Sequence, residues 1–178
     1  MINIPNLLSL LRLFLLPIFL YFIARGRTLF SVLFFVIIIV TDILDGYIAR
    51  KRNQCTNLGR VLDHGVDKLF SILTAIWLYI YNRFPLWATL FFVLRELIIL
   101  TSGFLFLVDK KLTFTSRTIG KISGGFFYLT ILLYLLRYDS SAIVFLYISV
   151  VLFSIATLWY AVLYFPRIKE VYDESNNS

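Results

Sequence analysis

Six apolar segments, at residues 10–24, 29–48, 61–81, 84–108, 119–136 and 141–165, run through this 178-residue chain with short polar breaks between them. A hydrocarbon core about 30 Å thick takes about 20 residues of helix at about 1.5 Å rise per residue, and each segment is near or above that length. A soluble core could not hide so much apolar sequence. Apolar residues make up 60% of the chain and mean hydropathy is +0.87, whereas soluble domains are about half apolar. The sequence therefore predicts an all-α, polytopic membrane protein with six transmembrane helices, forming a single domain over residues 1–178. One cysteine, Cys55, excludes an internal disulfide framework and any metal site built from several cysteines.

Ahead of the first segment, Asn3, Asn6, Ser9 and Arg12 recur every three residues, with Ile4, Leu7, Leu8 and Leu11 between them. This spacing predicts an N-terminal amphipathic segment. It either lies in the membrane interface or forms the polar first turns of the first span. It lacks the basic start and small-residue cleavage site of a signal peptide. With six spans, Arg12, Arg50, Lys51, Arg52, Arg60, Lys110, Lys111, Arg117, Lys121, Arg167 and Lys169 share one side, against Arg25, Arg27, Arg83 and Arg137 on the other. Basic residues concentrate on the cytoplasmic side, so both termini are expected there. The net charge of +7 is then a topological signal, and no nucleic-acid partner is expected. Lys68 and Arg95 fall inside predicted spans.

The second segment ends in "TDILDGYIAR" and the third opens on "GRVLDHGVDK". Residues three and four apart share a helix face. Asp42, Asp45, Gly46 and Ala49 thus form one stripe, and Gly59, Asp63 and Asp67 form another. If the two helices pack side by side, four carboxylates face one another near the cytoplasmic edge. Each costs about 2.5–3.5 kcal/mol at mid-bilayer, somewhat less near the interface. Together they repel unless a cation or proton separates them. Oxygen ligands of this kind suit Mg²⁺ or Mn²⁺ rather than zinc, so the constellation asks for one or two such ions. Gly46, Ala49 and Gly59 either let the helices approach closely or leave room for a ligand. Arg50 is either a phosphate-gripping guanidinium or an ordinary cytoplasmic anchor.

The pattern D42-x-x-D45-G46-x-x-A49-R50, eight residues, then G59-x-x-x-D63-x-x-x-D67 resembles the signature of the CDP-alcohol phosphatidyltransferase family. The six-span layout is similar to that family too. The resemblance implies an integral-membrane enzyme that moves a phosphatidyl group from a CDP-linked lipid, CDP-diacylglycerol, to an alcohol, releasing CMP. It implies Asp42, Asp45, Asp63 and Asp67 as metal ligands and Asp67 also as catalytic base. Gly46 and Arg50 would contact the nucleotide and its phosphates, with Thr56 and Gly59 beside them. The resemblance also implies a homodimer among membrane lipids.

Within that family, the opening N3-I-P5-N6-L-L-S9-L-L-R12, the Arg95-Glu96 pair and Gly120-Lys121 resemble phosphatidylglycerophosphate synthases. That likeness implies sn-glycerol 3-phosphate as acceptor, its phosphate met by Arg95, Arg117 and Lys121. His64 stands where such enzymes usually carry Pro, and Ser123-Gly124 where they tend to have Lys-Thr. Cardiolipin synthases of the eukaryotic type and phosphatidylinositol phosphate synthases share the core motif. Outside the family, a cation or proton transporter would use intramembrane acids as a relay but would leave the Gly, Ala and Arg at fixed offsets without a role. A non-catalytic subunit with the same motif is the third reading.

Overall fold

A computed structural model describes the backbone at residues 4–51, 57–108 and 118–176, with side chains described at 7–44, 65–100, 120–159 and 162. Among the described residues six helices follow one another: α1 (Ile4–Ala24), α2 (Thr28–Lys51), α3 (Asn57–Tyr81), α4 (Leu86–Val108), α5 (Thr118–Leu135) and α6 (Asp139–Asn176). Among the described residues there is no strand. The N-terminal amphipathic segment is not a separate element. It is the first turns of α1, which starts at Ile4 rather than at residue 10, and its described polar members, Ser9 and Arg12, are buried. In a bundle whose outside is apolar, the polar stripe is the face that turns inward.

Leu7–Ala24 and Asp139–Trp159 are long and apolar enough to cross a membrane, while Thr28–Leu44 and Gly120–Leu135 are apolar but shorter. Large apolar side chains such as Leu29 (77% exposed) and Phe14 (71%) point out of the bundle. A surface so widely apolar suits contact with lipid rather than water.

Tight turns set the hairpins. After α1 the N–H groups of Gly26 and Arg27 bond the carbonyls of Ile23 and Phe22, at 2.9 and 3.1 Å, with Gly26 at φ 64°. This is a Schellman end, and its left-handed residue is best served by glycine. Arg137 and Tyr138 close α5 the same way on Tyr134 and Leu133, with Arg137 at φ 60°. Between α3 and α4, Asn82 Nδ2 donates to the Tyr134 carbonyl (3.2 Å). The Arg137 guanidinium packs beside Gly26, 3.7 Å from where a Cβ would stand. The three turns therefore meet at one end of the bundle.

α1 packs against α2 and α3, α3 against α4, and α5 against α6, with lighter contacts joining α2 to α5, α3 to α5 and α4 to α6. Two aromatic triangles form the interior. Phe19, Phe35 and Phe70 join α1, α2 and α3, with ring centroids 5.7 to 6.2 Å apart. Phe92, Phe127 and Phe153 join α4, α5 and α6, at 4.2 to 6.0 Å. Tyr128 of α5 meets Phe35 and Phe70 edge-on, both at 6.2 Å, and links the two halves. Offset and edge-to-face pairs of this kind add about 0.5–1.5 kcal/mol each beyond their burial.

Candidate active site

The first triangle carries a charged cluster on the same three helices. Phe19 lies seven residues after Arg12, Phe35 seven before Asp42, and Phe70 three after Asp67, offsets that keep each pair on one helix face. Counted at about 1.5 Å per residue from the three turns that meet at one end, Arg12 lies about 18 Å away and Asp42 and Asp67 about 21 Å away. Antiparallel hairpins thus bring three residues far apart in sequence to one depth, away from the turns.

There, one guanidinium nitrogen serves two carboxylates. Arg12 Nη1 donates to Asp42 Oδ1 at 2.6 Å and also to Asp67 Oδ1. The arginine side chain is 3% exposed, while the two aspartates are partly open. Leu16, Ile38, Ile39, Val66, Phe70 and Tyr128 line the small cleft around them. The cleft sets two carboxylates and a guanidinium within an otherwise mostly apolar lining. Charge-assisted bonds to a buried arginine are strong when both partners are held, and here three separate helices hold them.

Sequence reasoning missed Arg12 as a site residue and placed it among the cytoplasmic anchors. Its burial removes it from that tally and leaves ten basic residues against four. The signal was present, since an arginine within an apolar span is a functional candidate.

Asp42 and Asp67, expected on facing helices, are brought to a common point. The side chains of Asp45, Gly46, Arg50, Thr56, Gly59, Asp63 and Arg117 lie outside the described residues. Among the described residues, no cluster of three acidic, histidine or cysteine side chains occurs. The pair that is described fits a hard cation. Both donors are carboxylate oxygens, they come from different helices, and they already converge on one positively charged point.

A second ionic cluster ties α3 to α4. Glu96 accepts from Arg95 Nη1 (2.6 Å) and lies 2.5 Å from Lys68 Nζ. The Arg95 guanidinium lies over the Phe153 ring of α6, 3.8 Å from its centroid. Arg95, expected at the acceptor's phosphate, is thus engaged by a carboxylate and a ring. Lys121 is exposed in the first turn of α5.

A helical bundle with an apolar exterior and paired carboxylates at one depth defines a class: membrane-associated proteins with an acidic interior site. The comparisons narrow it. The sequence model of the CDP-alcohol phosphatidyltransferase family matches residues 2–164, and the chain belongs to that family. It is 36% identical over 132 residues to the CDP-diacylglycerol–glycerol-3-phosphate 3-phosphatidyltransferase of Aquifex aeolicus, covering 73% of this chain and 74% of that one. The Bacillus subtilis protein of the same name is 34% identical over 111 residues, covering 54% of this chain and 58% of that one. The cardiolipin synthase (CMP-forming) of Streptomyces coelicolor is 37% identical over 105 residues, covering 56% and 49%.

Proposed function

We propose that this chain transfers the phosphatidyl group of CDP-diacylglycerol to sn-glycerol 3-phosphate, giving phosphatidylglycerophosphate and CMP. The observation that carries the reading is the meeting of Asp42 and Asp67 at one point. These are the first and last acids of the family motif. Its support for this acceptor is the likeness to relatives named for that reaction, one of them over 73% of the chain.

The reaction joins an acceptor hydroxyl oxygen to the lipid-bearing phosphorus and breaks the bond from that phosphorus to the bridging oxygen. CMP leaves with that oxygen. A hydroxyl is a poor nucleophile, so a carboxylate must take its proton as attack proceeds, a contribution of about 10²–10⁴-fold. We assign that proton to Asp67, which is partly open within the cleft. Asp42, Asp45, Asp63 and Asp67 would hold Mg²⁺ or Mn²⁺, one or two ions, and the bound metal would neutralise charge on the pyrophosphate oxygens. Gly46, Arg50, Thr56 and Gly59 are assigned to the nucleotide and its phosphates.

Arg117 and Lys121 are assigned to the acceptor's phosphate. Arg95 is assigned there as well, with Glu96 and Phe153 holding its guanidinium. In this reading all six helices span the membrane as a multi-pass protein. Both termini and the site face the cytoplasm, and two copies associate as a homodimer. The lipid donor then arrives from the bilayer and the soluble acceptor from water.

A cardiolipin synthase is the second reading, favoured by the Streptomyces relative so named. Purified protein with CDP-diacylglycerol and Mg²⁺, offered glycerol 3-phosphate, inositol phosphate, serine or phosphatidylglycerol in turn, separates the two. Release of CMP with glycerol 3-phosphate is expected. Release only with phosphatidylglycerol would select the second reading, and none with any acceptor would refute both.

A further inference from the structure

Arg12 is buried, and its charge stands directly between two acids of the site. Its side chain is 3% exposed, and the single atom Nη1 contacts Oδ1 of both Asp42 and Asp67. The point between two carboxylate oxygens of different helices is also where a cation shared by them has to stand. One positive charge is therefore supplied by the chain itself, from a third helix, at the position the acids offer. Leu16 and Phe19 anchor α1 one and two turns further in, and both are buried in the core, so the guanidinium is presented from a fixed rod rather than a loop. A group that occupies the same oxygens as a ligand opposes that ligand, and the opposition is reciprocal.

We propose that Arg12 is a positioning residue that holds Asp42 and Asp67 together and competes with the divalent cation for their oxygens. It sets how tightly the metal binds before any lipid donor is present. This rests on the reading that these acids bind a divalent cation.

The test is Mn²⁺ binding, followed by electron paramagnetic resonance on the full chain in detergent with no CDP-lipid present. Competition predicts that Arg12→Gln binds Mn²⁺ on the order of tenfold more tightly than wild type, while Arg12→Lys, which keeps a cation, stays near wild type. Arg12→Gln should also melt lower without Mn²⁺ and gain more from its addition. A purely structural clamp predicts the reverse, with equal or weaker Mn²⁺ binding by a folded Arg12→Gln, and that result overturns the proposal.

If Arg12→Gln does not purify as a folded protein, the wild type supplies the reading. Modification of Arg12 by phenylglyoxal, resolved by peptide mass spectrometry, should rise several-fold when Mn²⁺ is added, and an unchanged or lower yield overturns the proposal. Failure of the metal reading looks different, because neither wild type nor Arg12→Gln would then bind Mn²⁺ at all.

Discussion

Lys68 Nζ lies 2.5 Å from Glu96 Oε2, joining α3 to α4 one residue beyond Asp67. Successive helix positions are about 100° apart, so α3 points Asp67 toward α1 and α2 and Lys68 toward α4. The same carboxylate also binds Arg95 at 2.6 Å, which is stacked on Phe153 of α6. Glu96 is thus the shared counter-ion of two cations within the bundle.

Removing that carboxylate takes a shared counter-ion from a buried guanidinium and a partly buried ammonium. Breaking a buried ion pair from one side costs about 3–5 kcal/mol. Glu96→Gln should therefore lower the thermal midpoint in detergent by many degrees, read by circular dichroism. Lys68→Met, which removes one cation and leaves Glu96 paired with Arg95, should cost less. Equal midpoints for wild type and Glu96→Gln would show that the cluster does not hold α3 to α4.

Phe19 is fully buried and stacks on both Phe35 and Phe70, at 5.9 and 5.7 Å. Phe19→Ala should cost about 3–5 kcal/mol, the usual range for a buried aromatic truncated to alanine. Arg12 stands on the same face of α1, so turnover should fall along with stability. Phe19→Leu, which keeps most of the volume, should recover much of both. A Phe19→Ala protein as stable as wild type would mean that the triangle contributes no packing energy.

Chelation tests the metal assignment separately from the fold. EDTA should abolish CMP release, and Mg²⁺ or Mn²⁺ in excess should restore it, while helix content stays constant throughout. Turnover that persists after exhaustive chelation would contradict a divalent requirement.

Much of the architecture was legible in the sequence. The short polar breaks near residues 25–28, 82–83 and 137–140 marked the hairpins, because a chain leaves an apolar environment only where its polar groups can be satisfied. The helix ends were less legible. The start of α1 at Ile4 was left open: apolarity alone begins the helix later, and the polar stripe of Asn6, Ser9 and Arg12 fitted either an interfacial segment or the first turns of the span. α6 likewise runs to Asn176, well past the apolar run that ends at residue 165, since a helix can continue in polar sequence without leaving a hydropathy signal.

The site was half legible. The spacing of Asp42 and Asp67 put each on a defined face, and those faces meet. Arg12 stood out only as an arginine within an apolar span; its partners lie 30 and 55 residues away, and local periodicity carries no information about contacts between helices. The pairing of Lys68 with Glu96 was out of reach for the same reason. Spacing placed both inside spans, yet only the packing of α3 on α4 shows which charge each one meets.

The most direct test compares wild type with Asp67→Asn, following CMP release from CDP-diacylglycerol with glycerol 3-phosphate and Mg²⁺. An amide can occupy the carboxylate's space but cannot accept the acceptor's proton. The variant should therefore fold and elute as wild type does, with turnover reduced by about 10²–10⁴-fold. Turnover equal to wild type in a folded Asp67→Asn protein would contradict a site built on this acid.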